Sequence, residues 1–195
     1  MRRLSRGLSP AALTLAGLCF ALPFVTVGCD APGGYGRATP GGTTTYSGAD
    51  LIAGDTPRVS PNDHIRPPEA RQDDRIGPRP GTIAALVLIG AGIVLTVVTA
   101  DTLRRRRAAT TVAATAAVVL AVEQALVEST VGTRLAEQLT VPMPAGHQSA
   151  DYVHTGTGFW LCLALLVATA ALNTVGWLRS RSHSRPPKPE PARTG

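Results

Sequence analysis

Charge is scarce in this chain. Charged residues fill 16% of its 195 positions and aromatics 4%, against roughly a quarter charged in an ordinary globular domain. Lysine is almost missing: Lys188 is the one lysine among 19 basic residues. Low charge with 44% apolar residues excludes a disordered chain, and it excludes a plain nucleic-acid binder despite the net charge of +6. Three cysteines are too few for a disulfide-dense secreted scaffold. There is no Cys-x-x-Cys, which argues against a four-span thiol oxidoreductase. A phosphate loop, Gly-x-Ser-x-Gly, His-Glu-x-x-His and a solenoid repeat are all missing from the sequence. No constellation of nucleophile, base and orienter appears, so no catalytic residue and no cofactor is expected, and the chain reads as a non-enzyme.

What the sequence does have is four apolar blocks. Leu8–Gly28 holds no charge in 21 residues, and Thr82–Ala100 none in 19. Ala108–Val127 holds one, Glu123, in 20, and Gly158–Leu178 none in 21. A bilayer core of about 30 Å takes about 20 apolar residues of helix. Helices of a soluble bundle would each show a polar stripe, and the second block shows none. The expected fold class is an all-α membrane protein with four transmembrane helices in a bundle.

Basic residues near the span ends set the threading. Arg2, Arg3 and Arg6, then Arg104 to Arg107, then Arg179, Arg181, Arg185, Lys188 and Arg193 all fall on one side. Both termini are therefore expected in the cytoplasm of a plasma-membrane protein. The expected order is a cytoplasmic N-terminus (1–7), spans at 8–28, 82–100, 108–127 and 158–178, outer loops at 29–81 and 128–157, an Arg-rich inner loop at 101–107 and a disordered tail at 179–195. Partitioned this way, the inner segments carry +10 and the outer side −4. The basicity describes threading, and nucleic acid is not an expected partner.

Three arginines before an apolar run also describe a signal peptide, although this run is longer than a typical signal core. Thr26-Val27-Gly28-Cys29 loosely matches a lipoprotein cleavage box, so lipidation of Cys29 stays open. Cys19 lies in the first span. Cys29 and Cys162 face the oxidising side and would pair if the first and fourth spans touch.

Within the spans, Trp160 and Trp177 bracket the last one. Seventeen residues of helix rise about 26 Å, which puts both indoles at headgroup level as anchors, with Phe159 and Tyr152 adding to the outer belt. Ala109, Ala113, Ala117, Ala121 and Ala125 form a ribbon spaced by four, and Gly90 and Gly92 add small residues to the second span, allowing close helix approach. Glu123 and Asn173 are the intramembrane polar residues. Glu123 lies about 6 Å from the outer end and reaches water, on a helix that runs out of the membrane to about Leu139. Asn173 suits an interhelical hydrogen bond.

The first outer segment is Gly/Pro-rich, with eight of each in residues 30–80, and is expected to be largely irregular. Thr43–Tyr46 has strand propensity and Ser47-Gly48 turn chemistry, giving a short ordered patch over Thr43–Gly54 that needs the second outer segment to persist. In that second segment His147, Asp151 and His154 would share one face if helical. They are weak candidates for a metal site, with Asp63 or His64 as a fourth ligand.

Leu22-Pro23-Phe24-Val25-Thr26-Val27-Gly28-Cys29, Tyr46-Ser47-Gly48-Ala49-Asp50-Leu51 with Gly54, and Gly156-x-Gly158-Phe159-Trp160 resemble uncharacterised four-span membrane proteins of high-GC actinobacteria. The resemblance implies a cell-membrane protein and carries no activity with it. The expected role is that of an accessory or interaction protein. Its expected partners are the lipid bilayer, a membrane or extracellular protein, or further copies of the chain. A small transporter or channel subunit and a lipoprotein anchored at Cys29 are the alternatives.

Overall fold

The computed structural model describes residues 4–28, 43–60, 75–138, 146 and 148–182. Helix α1 (Leu4–Leu18) passes through a 3-10 turn, Cys19–Ala21, into strand β1 (Pro23–Gly28). Strand β2 (Thr43–Ser47), helix α2 (Gly48–Ala53) and strand β3 (Arg58–Ser60) follow. Then come α3 (Pro80–Val98), α4 (Thr102–Gln138), strand β4 (Val153–Thr155) and α5 (Thr157–Ser182).

Three of these helices, α3, α4 and α5, are long and apolar enough to cross a membrane. Their outward faces are aliphatic: Val87, Val98 and Leu172 are 63%, 76% and 68% exposed. Water disfavours such a surface, whereas hydrocarbon accepts it. Four helices pack together. Helix α1 lies against α3 and α5, and α4 lies against the same two.

The first apolar block is not one helix. Helix and 3-10 turn end at Ala21, and the next residues form β1. Hydropathy cannot see this break, because Phe24-Val25-Thr26-Val27 is as apolar as a span. Its composition is β-branched and aromatic behind Pro23, which favours extended backbone. The apolar helical stretch Leu8–Ala21 is shorter than the roughly 20 residues that a bilayer core asks of a straight helix.

The fold also departs from the expected all-α class in holding a four-stranded antiparallel sheet of order β3-β2-β1-β4. The expected strand at Thr43–Tyr46 is present and extends to Ser47. It pairs with β1, with Thr26 opposite Thr45 and Val27 opposite Thr44, and β1 in turn pairs with β4, with Thr26 opposite His154. Helix α2 opens on a capping box. The Asp50 N–H donates to Ser47 Oγ (3.1 Å) and the Ser47 N–H donates to Asp50 Oδ2 (2.8 Å). It closes at Gly54 in the left-handed conformation, φ +65°, against Pro78.

Two other boundaries shift. The arginines expected in a loop stand on the first turns of α4, whose start Asp101 caps: its Oδ1 accepts from the Leu103 N–H at 2.9 Å. Helix α4 then runs 37 residues to Gln138, about 55 Å, so residues 128–138 are helix that outlasts a bilayer. Helix α5 continues past 178 to Ser182.

Between the helices the interior is small and aliphatic: Leu13 and Ala16, Ala85 and Ile89, Ala113, Ala116 and Leu120, and Leu166. Gly92 is a contact point, since a Cβ there would meet Val112 Cγ1 at 3.0 Å and Leu13 Cδ1 at 3.1 Å. Gly90 faces open space. The alanine ribbon is half right. Ala109, Ala113 and Ala117 are buried, but Ala121 and Ala125 are exposed. A step of four residues advances about 40° around a helix, so a strict ribbon rotates off the contact face. The buried line runs instead through Ala109, Ala113, Ala116, Leu120, Glu123, Val127, Val131 and Leu135.

Candidate functional site: two polar junctions

Polar side chains gather at both ends of the helices. At the sheet end, Glu123, expected to reach water, is instead buried with Gln124 of α4, at 7% and 6% exposed, its carboxylate turned onto Gly81. The Gln124 amide donates from Nε2 to the Phe24 carbonyl of β1 (3.2 Å) and to Glu128 Oε1 (2.9 Å). Thr155 of β4 donates its hydroxyl to the same Glu128 oxygen. The Phe24 carbonyl also accepts from the Gly156 N–H at 2.6 Å. These bonds fasten α4 to the two adjacent strands β1 and β4. Glu123 points at the first turn of α3, where a Cβ on Gly81 would overlap its carboxylate. A carboxylate at a helix N-terminus is favoured by the macrodipole. Beside this junction a groove of about 440 Å³ is lined by Glu128, Ser129, Thr133 and Ser149, among others.

Aromatic rings pack beneath the sheet. Phe24 lies 5.1 Å from Phe20 and 6.3 Å from Phe159 between ring centroids. Phe159 is buried, so it belongs to this core and not to an interfacial belt. Trp160 stands next to it, 58% exposed.

At the arginine end, α1, α4 and α5 enclose a second junction. Asn173 donates through Nδ2 to the Thr169 carbonyl (2.8 Å) and to Ser9 Oγ (3.1 Å), joining α5 to α1. Arg106 crosses from α4 and donates through Nη1 to the Gly176 carbonyl and to Ser180 Oγ (3.2 Å). A Cβ on Gly176 would press on this guanidinium, so the glycine makes room for it. The Arg107 guanidinium carbon lies 5.2 Å from the centre of the Trp177 ring. A cleft of about 260 Å³ opens here, lined by Leu8, Ser9, Ala12, Arg106, Thr169, Leu172 and Asn173.

The metal expectation loses its helical premise. Residues Ser149–Tyr152 form a 3-10 turn and His154 sits in β4 opposite Thr26. Asp151 accepts from the Gln148 N–H at 2.8 Å, an intra-turn bond. Among the described residues no three His, Cys, Asp or Glu side chains gather as a metal site. His147, Asp63 and His64 lie outside the described residues, as does Cys29. Cys162 is a free, fully buried thiol whose S–H donates to the Ala16 carbonyl at 3.4 Å across the α1–α5 contact.

Sequence reasoning missed the meeting of Ser9, Arg106 and Thr169. A signal was present, because Arg106 lies three and seven residues before Ala109 and Ala113 and so shares their buried face. Arg105, four residues before Ala109, falls on that face by the same rule, so the spacing alone does not single out Arg106. Gln124, four residues from Leu120 and three from Val127, was marked by the same phase.

No protein-family model matches this chain, and neither curated proteins nor solved structures yield a match.

Proposed function

We propose that the chain is a multi-pass plasma-membrane protein that acts as a non-enzymatic accessory or interaction protein. In this reading α1 makes a fourth, short crossing, both termini lie in the cytoplasm and the sheet stands outside. The observation that carries it is the pairing of three apolar, outwardly aliphatic helices with a small ordered sheet at one end. The threading follows from the arginines at the opposite end. Among the described residues β3 and β4 are the edge strands, and an extended segment of a protein partner can add to such an edge through main-chain bonds.

Two features favour this reading over its alternatives. The interior at mid-helix is alanine, glycine and leucine in close contact. Its threonines bond their own helix: Thr96 to Ile93 O (2.9 Å) and Thr169 to Leu165 O (2.7 Å). That supports a solid support rather than a conduit through one chain. A lipoprotein would be cut before Cys29, which would delete α1 and β1, the strand between β2 and β4. The anchored-lipoprotein reading therefore costs the fold its sheet.

A photo-crosslinking residue at Arg58, on edge strand β3, tests the role in intact cells. A discrete protein adduct from Arg58, with none from the aliphatic face at Val94, is the expected result. No protein adduct from any exposed sheet position would contradict an interaction role. Mass spectrometry of the mature chain should show the peptide beginning at Met1 or Arg2.

A further inference from the structure

The cleft at the arginine end has properties that the packing of α1, α4 and α5 does not by itself require. Arg106 makes both of its protein bonds from Nη1. Among the described residues no carboxylate pairs with it, while the nearby Asp101 pairs with exposed Arg104 at 3.6 Å. Nε and Nη2 of Arg106 therefore remain to donate, and a guanidinium edge of that kind matches two oxygens of a phosphate. Ser9 and Asn173 line the same cleft but already bond each other and the Thr169 carbonyl, so Arg106 is the group that meets the phosphate. The flanks are Leu8 and Leu172, 61% and 68% exposed, so the cleft opens on the aliphatic side of the helices. Its depth is marked by Trp177, one residue from the Gly176 carbonyl that Arg106 holds, and indoles favour the headgroup level.

We propose that this cleft binds the phosphate of one anionic phospholipid, whose acyl chains run along Leu8 and Leu172. The inference rests on the membrane reading above and adds a discrete site to it. A basic pocket between helices, at headgroup level on the cytoplasmic side, is chemically suited to an anionic lipid. The lateral, apolar opening favours a lipid over a free phosphate, which would enter from water.

The full chain is placed in nanodiscs of phosphatidylcholine containing a minority of phosphatidylglycerol, then released and weighed by native mass spectrometry. The expected result is one phosphatidylglycerol retained per chain. Arg106→Gln should reduce that retention roughly tenfold, the effect of losing a charge-assisted contact of about 1.4 kcal/mol. Arg104→Gln, at an exposed arginine, should leave it unchanged. Ala12→Phe fills the cleft without touching its hydrogen bonds and should also abolish retention, so the test stands even if Arg106→Gln folds poorly. Equal retention of phosphatidylcholine, or unchanged retention in both Arg106→Gln and Ala12→Phe, overturns the proposal. Displacement of the lipid by inorganic phosphate at comparable concentration overturns the lipid assignment in favour of a free anion. A chain that stays in aqueous solution without detergent instead defeats the membrane reading, an outcome visible before any lipid is weighed.

Discussion

Gly156 joins β4 to α5 where no side chain fits. A Cβ there would overlap the Pro23 carbonyl, which is backbone and cannot swing aside. Gly156→Ala should therefore lower stability by about 2 kcal/mol or more, within the range of overpacking penalties. The midpoint of thermal unfolding in detergent checks this. Gln124 makes a milder case. Its loss removes two bonds, yet the Phe24 carbonyl keeps the Gly156 N–H and Glu128 keeps the Thr155 hydroxyl. Gln124→Leu should cost about 1 kcal/mol, the net worth of a hydrogen bond whose partners stay satisfied. An unfolding midpoint as low as that of Gly156→Ala would show that the α4 junction matters more than its bond count implies. Both residues were visible in the sequence as types, a glycine before an aromatic entry and a polar residue beside Glu123. Pro23 and Phe24, whose backbone meets both, were not, because they lie on β1, which hydropathy assigns to a helix.

At the scale of elements, helix packing depends on which small residues face inward. Gly92 touches Val112 and Leu13, whereas Gly90 touches nothing within 4 Å. Gly92→Leu should separate α3 from α1 and α4 and destabilise by about 2 kcal/mol. Gly90→Leu on the open face should change stability by less than about 0.5 kcal/mol. Equal effects would mean that the helix is rotated from its described phase. The extent of α3, the stretch of α4 from Ala108 to Val127 and the body of α5 were legible in the sequence, since length and absence of charge are what a bilayer demands. The end of α1 was not. A β-branched run such as Phe24-Val25-Thr26-Val27 has the hydropathy of a span, and its strand state depends on pairing with β2 and β4, which are distant in sequence. The patch at Thr43–Gly54 was legible through its threonines and its turn residues, and it persists because β1 bridges it to β4. The phase of the alanines needed the helix angle as well as the spacing.

For the molecule as a whole, the arginine run at the start of α4 and the sheet lie at opposite ends of the helices. That polarity is the proposed threading of a membrane protein, with the net charge of +6 divided unequally between the two sides. The most direct measurement is cysteine labelling by an impermeant maleimide in a Cys29→Ser background, where Cys19 and Cys162 are buried. One cysteine replaces Ala49, exposed on α2 beside the sheet, and another replaces Thr102, exposed at the start of α4. Ala49→Cys should label in intact cells, and Thr102→Cys should label only after the membrane is opened. Labelling of both in intact cells, or the reverse order, would contradict the proposed threading.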